Sequence, residues 1–228
     1  MSGLSIIIPA LNEDQKISLT VKELLQGGRQ YLTKFELILV DDGSTDQTGE
    51  VMDRLTQGNP EVKVIHHPQR LGVGQAYRSG MNMARYEYIT MIPGDHELNK
   101  KTFEDLFQAV GKKDLVIGYR VNQSDARPFY RVMISRLYTI LMNVLFGFRL
   151  RDFDSLIIYP AKLLKESNSH ASGYTYQMEL LVQMLRKGLT YSEVPIILNL
   201  VEVKSSRSLS WRTLWDVARM TYSLLRQR

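Results

Sequence analysis

The sequence predicts an α/β fold with a mostly parallel central sheet flanked by helices. Short runs rich in β-branched residues alternate with longer segments whose apolar residues recur at helical spacing. Strands that alternate with helices form parallel βαβ units. The chain of 228 residues is 44% apolar and 23% charged, a composition that allows a substantial core and excludes disordered, collagen-like and coiled-coil proteins.

Each element follows from its own pattern. Strands are predicted at residues 5–9, 35–40, 62–67, 86–92 and 114–119, with helices between them at 14–26, 45–56, 74–84 and 101–110. Ser44 and Asp46 are predicted caps of the second helix and Asn99 of the fourth, because such side chains accept hydrogen bonds from first-turn N–H groups. The less regular second half predicts a helix at 128–148, a strand at 156–159, a helix at 174–186, a strand near 190–200 and a basic tail helix at 211–226.

The residue types that are missing narrow the chemistry. The chain has no cysteine, which excludes disulfides, cysteine-bound zinc, iron–sulfur clusters and thiol nucleophiles. Its four histidines, His66, His67, His96 and His170, are too dispersed in the sequence to suggest a histidine-built metal site. Any chemistry must therefore use carboxylates and other oxygen ligands.

The N-terminal segment and the charge distribution suggest where the protein works. Residues 1–13 lack a basic region and their apolar run ends at Pro9, so they predict a strand and not a signal peptide. No segment reaches the roughly 18 consecutive apolar residues of a spanning helix, so we expect a cytoplasmic protein without such a helix. The net charge is +5 with many arginines in the second half, which we expect to face something anionic.

Polar residues follow directly after the first two predicted strands. Asn12 and Glu13 follow the first strand, and the adjacent acids Asp41 and Asp42 follow the second. Open α/β sheets bind ligands beyond the carboxyl ends of their strands, where a carboxylate can accept hydrogen bonds from a nucleobase or a ribose. Two adjacent acids exceed what a helix cap needs, so we expect Asp41 and Asp42 to contact a ligand.

The fourth predicted strand leads into a loop that contains Asp95 and Glu97. In an extended segment, side chains two residues apart share a face, so these acids can direct oxygen ligands to one Mg²⁺ or Mn²⁺ ion. Such a cation would bridge the phosphates of a substrate and neutralise a departing diphosphate. The spacing also fits two solvated loop charges, but the position at the centre of the sheet favours the cation site.

Three glycines, Gly72, Gly74 and Gly80, superficially match a dinucleotide-binding fingerprint. The match fails because the glycines follow the third strand and the last one is displaced, so a nicotinamide enzyme is not indicated. They indicate either a close approach of the backbone to a ligand, with Arg70 near its phosphates, or the start of a tightly packed helix.

The predicted helix at 128–148 combines an apolar stripe with basic residues such as Arg131 and Arg136. Its core-like residues are Val132, Ile134, Leu137, Tyr138, Leu141, Val144 and Leu145. Two interpretations fit this pattern, a core helix and an amphipathic helix inserted into a membrane surface. Trp211 and Trp215, four apart on the tail helix, similarly fit either docking of the tail or anchoring at a membrane interface.

A series of motifs in a fixed order covers most of the chain. They are PALNE (9–13), VDDGSTD (40–46), LGVGQAYRSGMNMA (71–84), the acidic loop at 93–97, GYR (118–120), RDFDS (151–155), YQMELLVQMLRKG (176–188), EVPI (193–196) and KSSRS (204–208). With them the chain resembles the family-2 glycosyltransferases of GT-A fold, within them the dolichol-phosphate mannose synthase-like and bacterial polyprenyl-phosphate glycosyltransferases. The resemblance implies a GT-A (Rossmann-like) nucleotide-diphospho-sugar transferase fold.

The resemblance also implies residue roles. The nucleotide would contact Pro9, Ala10, Asn12, Glu13, Asp41 and Asp42, and the cation would be held by Asp95 and Glu97. The family's first metal-loop acid is replaced here by Pro93, and Leu156-Ile157 replaces a Gly-Phe pair that usually follows Asp152 and Ser155. The acceptor or its phosphate would contact Arg120, Arg131, Ser135 and Arg207, and the catalytic residues would be Asp95, Arg120 and Arg131.

The expected function is that of an inverting glycosyltransferase that uses Mg²⁺ or Mn²⁺. It would move a sugar from GDP-mannose or a UDP-sugar to a polyprenyl or dolichyl phosphate at the cytoplasmic membrane face, attached peripherally or through a membrane protein partner. We expect one domain, with a nucleotide-sugar-binding half at 1–119 and an acceptor half at 120–228. The alternative is a non-catalytic nucleotide-sugar-binding protein that acts with a membrane partner. No motif indicates nucleic-acid binding.

Overall fold

The computed structural model describes residues 2–126, 128–153, 155–166 and 175–199, together with residues 219 and 221. The strands are β1 (Leu4–Ala10), β2 (Phe35–Asp41), β3 (Val62–His66), β4 (Tyr88–Met91), β5 (Leu115–Arg120), β6 (Ile157–Pro160) and β7 (Tyr191–Ile196). The helices are α1 (Ile17–Tyr31), α2 (Thr48–Thr56), α3 (Val73–Met83), α4 (Lys100–Ala109), α5 (Gln123–Ala126), α6 (Phe129–Phe146), α7 (Ala161–Lys165) and α8 (Thr175–Arg186). The predicted tail helix, with Trp211 and Trp215, lies outside the described residues except for residues 219 and 221, which are helical.

The seven strands form one sheet in the order β3-β2-β1-β4-β6-β5-β7. β1 runs parallel to β2 and β4, β2 to β3, and β5 to β7, whereas β6 is antiparallel to both of its neighbours. Six strands therefore point the same way, and their carboxyl ends lie at one edge of the sheet. The predicted mostly parallel sheet is confirmed, although β6, from the second half of the chain, lies between β4 and β5.

The core lies on both faces of the sheet. Ile6 and Ile8 of β1 belong to a cluster with α1 and α4 on one face, and Ile7 belongs to a cluster with α3 and α8 on the other. Successive side chains of a strand point to opposite faces, so a strand covered on both sides needs an unbroken apolar run. All residues of β1 are buried. The covered sheet gives the loops at its carboxyl edge a rigid base.

Gly80 serves the packing of α3 on the sheet. A Cβ atom at this position would lie 2.4 Å from Cγ2 of Ile7, a distance that real side chains do not adopt. Only glycine therefore lets α3 approach β1 so closely. Gly72, which has φ of 93°, directly precedes α3. These two glycines thus favour the interpretation of a tightly packed helix.

The predicted helix caps have different outcomes. Asn99 is the N-cap of α4, because its Oδ1 accepts a hydrogen bond from Lys101 N at 3.0 Å. The prediction for Ser44 is wrong, because α2 begins only at Thr48 and Ser44 Oγ accepts instead from Asn12 N at 3.1 Å. Asp46 supports the start of α2, since its Oδ1 accepts from Thr48 N at 2.9 Å.

The helix predicted at 128–148 is present as α6, but most of its core-like residues are not in the core. Val132 is buried and Tyr138 and Leu145 are half-buried. The other four, which the core-helix interpretation requires to be buried, are exposed: Ile134, Leu137, Leu141 and Val144. The core-helix interpretation is therefore wrong for this side of α6, because within the described residues only the opposite side, with Val132, Thr139 and Met142, packs on the domain.

Eight large apolar side chains of α6 are exposed, and we call them the α6 apolar face: Phe129, Tyr130, Met133, Ile134, Leu137, Ile140, Leu141 and Val144. At 3.6 residues per turn they occupy an arc of about 140°. Phe129–Phe146 is also long and apolar enough to cross a membrane, with 17% of it buried. By length and composition alone, this helix is a candidate membrane span that the sequence pattern does not predict.

Candidate functional site

Hydrogen bonds tie together the loops that follow β1, β2 and β4. Asp42 N donates to the Ala10 carbonyl at 3.0 Å, and Gly94 N donates to the Pro9 carbonyl at 3.1 Å. Thr45 N donates to Oδ1 of Asn12 at 2.9 Å. The structure thus brings together three of the strand-end segments that the sequence singled out, residues 9–13, 41–46 and 93–97.

Asn12 and Glu13 shape the loop after β1. Asn12 has φ of 56°, in the left-handed region that asparagine enters more readily than most residues. Glu13 N donates to Thr48 Oγ1 at 2.8 Å, and the Glu13 carbonyl accepts from the N–H groups of Lys16 and Ile17. These bonds form a turn over residues 13–16, which is why α1 begins at Ile17 and not at residue 14 as predicted.

Asp41 is a buried acid at the end of β2. Its Oδ1 accepts from Ser44 N at 2.9 Å, and its Oδ2 lies 3.2 Å from Nδ1 of His66. Burial raises the pKa of Asp41, but the hydrogen bonds from Ser44 and His66 outweigh burial and leave this pKa below its usual value. Asp41 therefore stays ionised at neutral pH.

Asp42 is the second buried acid, and it holds the loop that follows β3. Its Oδ1 accepts from Leu71 N at 2.9 Å and its Oδ2 accepts from Gly72 N at 2.8 Å. Nδ1 of His67 lies 2.9 Å from the same Oδ1, and Nε2 of His67 lies 2.9 Å from Oγ of Ser79. Asp42 thus connects the carboxyl ends of β2 and β3 with the start of α3.

Sequence reasoning missed His67 and Ser79. The histidines were considered only as metal ligands, and no motif gave Ser79 a role. One signal was available, because His66 and His67 stand at the carboxyl end of the third predicted strand, next to the two acids in the parallel sheet. Each histidine pairs with a different one of these two acids, His66 with Asp41 and His67 with Asp42.

The loop that contains Asp95 is folded into a turn. His96 has φ of 56°, and Asp95 Oδ1 accepts a hydrogen bond from Glu97 N at 3.2 Å. The segment is therefore not extended, and the argument that Asp95 and Glu97 share a face for that reason is wrong. Burial raises the pKa of Asp95, although the Glu97 N–H and the charge of Lys16 lower it in part.

The carboxylates of this loop offer few ligands for a cation. Among the residues that the structure describes, no group of three or more acids or histidines is arranged to hold a metal ion. A cage built from protein ligands alone is therefore not present in that part of the chain. Mg²⁺ keeps several waters and is commonly bound by one or two carboxylates together with substrate phosphates. The role of Asp95 and Glu97 as cation ligands therefore stays a prediction.

Arg120 ends β5 and forms a buried ion pair with Asp152. Its Nε donates to Oδ2 of Asp152 at 2.7 Å and its Nη2 donates to Oδ1 at 2.9 Å. Both side chains are almost fully buried. Such a bidentate pair holds the guanidinium in one orientation. Because Asp152 follows α6, the pair joins the two ends of the segment that contains α6.

The remaining predicted acceptor residues are only partly described. Arg131 and Ser135 are half-buried and lie one turn apart on α6. Arg207 lies outside the described residues. The phosphate-binding roles of these residues therefore stay predictions.

Comparison with known proteins assigns the chain to a family. Residues 5–166 match the family model described as glycosyl transferase family 2. The chain belongs to this family. The match includes the loops after β1, β2, β3 and β4 and the Arg120–Asp152 pair, and it confirms the resemblance that the motifs indicated.

The curated relatives include transferases that act on polyprenyl phosphates by name. The undecaprenyl-phosphate mannosyltransferase of Micrococcus luteus is 29% identical over 83% of this chain and 81% of that protein. The dodecaprenyl-phosphate galacturonate synthase of Rhizobium johnstonii is 30% identical over 72% of this chain, and glycosyltransferase GlyG of Streptococcus pneumoniae is 34% identical over 57%. The chain spans slightly less than half the length of these last two, 49% and 43%.

Solved structures share the fold. Mannosyl-3-phosphoglycerate synthase from Rubrobacter xylanophilus has a TM-score of 0.75 at 18% identity, covering 99% of this chain and 75% of that one. Glucosyl-3-phosphoglycerate synthase from Mycobacterium tuberculosis, in complex with Mn²⁺, UDP and its product, has a TM-score of 0.64 at 19% identity, with 99% and 79% coverage. The predicted GT-A fold is thus confirmed. The predicted membrane protein partner gains no support from these comparisons.

Proposed function

We propose that this protein transfers a sugar from a nucleotide-diphospho-sugar to a polyprenyl phosphate at a membrane surface. The observation that carries the proposal is the combination of two features in one family-2 chain. Buried acids gather at the carboxyl edge of the sheet, and a helix that starts beyond the same edge exposes the α6 apolar face. The first feature suits a nucleotide and the second suits a lipid.

The donor nucleotide would lie in the loops after β1 and β2. Its base and ribose would contact Asp41 and Asp42, whose carboxylates accept hydrogen bonds, together with residues 9–13. Asp95 and Glu97 would hold a divalent cation jointly with the donor's phosphates. When bound, that cation supplies positive charge that stabilises the leaving diphosphate. The names of the relatives include both mannose and galacturonate, so the identity of the sugar is left open.

The acceptor would be a phosphate because a phosphate needs no general base. The second pKa of a phosphate monoester is about 6, so its oxygen is ionised near neutral pH. This oxygen attacks the anomeric carbon, the bond from that carbon to the diphosphate oxygen breaks, and the electron pair leaves with the nucleoside diphosphate. In-line attack inverts the anomeric configuration. Arg131 would offset the repulsion between the two anionic substrates, and Arg120, oriented by Asp152, would act beside it.

The α6 apolar face would bring the protein to the membrane that contains the lipid. Burying eight large apolar side chains contributes on the order of 10 kcal/mol, which offsets the loss of freedom on binding to a surface. Because the opposite side of α6 packs on the domain, a helix lying in the membrane surface accounts for the exposure better than a helix that spans the membrane. Peripheral attachment at the cytoplasmic face belongs to this proposal.

A transfer assay tests the function. The protein is incubated with radiolabelled GDP-mannose, UDP-glucose or UDP-N-acetylglucosamine, polyprenyl-phosphate vesicles and Mg²⁺ or Mn²⁺, and the label is extracted into organic solvent. One of the donors is expected to yield lipid-extractable label. Donor binding by calorimetry without extractable label would support the alternative of a non-catalytic nucleotide-sugar-binding protein, which the replacement of a metal-loop acid by Pro93 favours.

A further inference from the structure

A chain of hydrogen bonds runs from Ser79 through His67 to Asp42, one of the two acids that the sequence motifs single out. Ser79 lies on α3, His67 follows β3 and Asp42 follows β2. The two hydrogen-bond distances to His67 are both 2.9 Å. His67 and Asp42 are buried, with exposed fractions of 9% and 4%. Three separate elements therefore contribute to one polar chain behind the proposed nucleotide site.

The protonation pattern of this chain follows from its chemistry. An ionised carboxylate only accepts hydrogen bonds, so Nδ1 of His67 must donate to Asp42. In a neutral imidazole Nε2 then accepts, and the hydroxyl of Ser79 donates to it. Asp42 thus selects the tautomer of His67, and the hydroxyl of Ser79, which can donate or accept, holds the ring in place through Nε2.

The Asp42 carboxylate uses almost all of its hydrogen-bond acceptor sites. Oδ1 accepts from His67 and from Leu71 N, which fills both of its lone pairs, and Oδ2 accepts from Gly72 N. One hydrogen-bond acceptor site, on Oδ2, takes part in none of these three bonds. Three donors on two oxygens also prevent the carboxylate from rotating, so the direction of that last site is fixed.

We propose that His67, which Ser79 orients, is a positioning residue that holds the Asp42 carboxylate in one orientation. The remaining hydrogen-bond acceptor site of Asp42 then selects nucleotide bases that carry a ring N–H group. This inference rests on the proposed function, because it requires a nucleotide at Asp42. Uracil and guanine carry a ring N–H where cytosine and adenine carry a bare ring nitrogen. A fixed carboxylate attracts the first pair and repels the second, whereas a carboxylate that can rotate discriminates less.

Matched nucleotide pairs provide the test. Calorimetry measures the dissociation constants of UDP, CDP, GDP and ADP for the wild type and for each variant. The wild type is expected to bind UDP at least about tenfold more tightly than CDP, or GDP more tightly than ADP. His67→Leu is expected to reduce this ratio to about two. Its kcat should fall less than its KM for the donor rises, because His67 does not touch the reacting atoms.

Conservative variants separate positioning from general stability. Asparagine at position 67 has an amide N–H near the place of Nδ1, so His67→Asn should keep most of the ratio between the dissociation constants of the matched nucleotides. The amide of glutamine lies near the place of Nε2 and contacts only Ser79, so His67→Gln should not keep this ratio. Ser79→Ala should reduce the ratio about threefold. The control for Ser79→Ala is Ser192→Ala. Ser192 lies on β7, which is the outermost strand on the side of the sheet opposite β3. Its buried hydroxyl has no hydrogen-bond partner within the described residues.

Three outcomes would contradict either the proposed function or the positioning role of His67. If the wild type binds none of the four nucleotides, the proposed function fails. If the wild type discriminates and a folded His67→Leu variant discriminates equally well, the positioning role of His67 is overturned while the function stands. Equal losses in His67→Asn and His67→Leu would overturn it too. Melting temperatures of all variants identify those that fold.

Discussion

At the residue scale, the two acids at the carboxyl end of β2, Asp41 and Asp42, differ in what surrounds them. Asp42 is held by His67 and by backbone N–H groups, whereas Asp41 lies beside His66, which also contacts Asp53 at 3.0 Å. Burial lowers the pKa of His66, but the hydrogen bonds from Asp53 and Asp41 outweigh burial and raise this pKa above its usual value. Protonated His66 therefore links β3 to the acids of β2 and α2.

A pH-dependent stability difference follows for His66. A histidine whose pKa is higher in the folded state stabilises the fold fully below its unfolded pKa of about 6.5, and this contribution disappears as the pH rises through the folded pKa. We expect the unfolding free energy of wild type to exceed that of His66→Asn by more at pH 6 than at pH 9. Urea denaturation at both pH values measures it. A difference that grows towards pH 9 would contradict the assignment.

Asp95 should matter more than Glu97 for turnover. Asp95 is half-buried, and this burial raises its pKa, so its charge would gain from a partner such as a cation. We expect Asp95→Asn to lower kcat at least about 100-fold, or roughly 2.7 kcal/mol of transition-state stabilisation. Glu97→Gln should cost less than about tenfold, because an amide oxygen still serves as a ligand. Steady-state kinetics with saturating Mg²⁺ measure both, and near-wild-type turnover of Asp95→Asn would show that its charge is dispensable.

At the element scale, the loops after β2 and β3 pack backbone against backbone. Gly43 has φ of 72°, and a Cβ at this position would lie 2.4 Å from the carbonyl carbon of Gln69 and 2.5 Å from Arg70 N. The contact leaves no space for a side chain. The same two loops are joined by Asp42, so the site depends on how closely they approach.

A matched pair of glycine variants tests that contact. Gly58 also has positive φ, 77°, but nothing lies within 4 Å of its added Cβ. Gly58→Ala should therefore cost only the left-handed strain of about 1–2 kcal/mol. Gly43→Ala should cost clearly more and weaken nucleotide binding, because backbone atoms must move. Chemical denaturation compares the two, and equal losses would mean that the loops separate easily.

α6 exposes more large apolar side chains than a domain surrounded only by water needs to expose. Exposed patches of this kind usually mark an interaction site. We expect the double variant Leu137→Glu, Ile140→Glu to fold normally, since both residues are 59% exposed. It should lose most of its binding to vesicles that contain polyprenyl phosphate, as measured by co-sedimentation.

The control for α6 is Leu19→Glu on α1. Leu19 is an exposed leucine, at 49%, that lies outside the α6 apolar face. Its variant carries a new acid but should bind vesicles like the wild type. Unchanged vesicle binding of the double variant would show that the α6 apolar face does not meet the membrane, and the search for its partner would turn to proteins.

At the scale of the whole molecule, the sequence predicted well what depends on local pattern. The apolar runs located β1 to β5 because buried parallel strands need unbroken apolar segments. The acids were located because residues at the carboxyl ends of such strands meet at one edge. Asn99 was predicted as a cap from its residue type alone. These inferences require no knowledge of which segments pack together.

The remaining features depend on packing between distant segments. The apolar pattern of α6 was visible, but whether it is covered depends on the elements around it. The insertion of β6 between β4 and β5 and the contact of Ser79 with His67 join residues that no local spacing relates. The turn at His96 was missed because residues 93–97 were treated as an extended segment, although the Pro93-Gly94 pair is typical of turns and histidine is among the non-glycine residues enriched at positive φ.

The most direct test of the central claim compares two acceptors that differ by one group. Polyprenyl phosphate and the matching polyprenol are incorporated in identical vesicles, and sugar transfer from the preferred donor is followed at pH 7.5. The account predicts labelled lipid from the phosphate, with inverted anomeric configuration, and none from the alcohol. Equal transfer to both acceptors, or transfer to the alcohol alone, would contradict it.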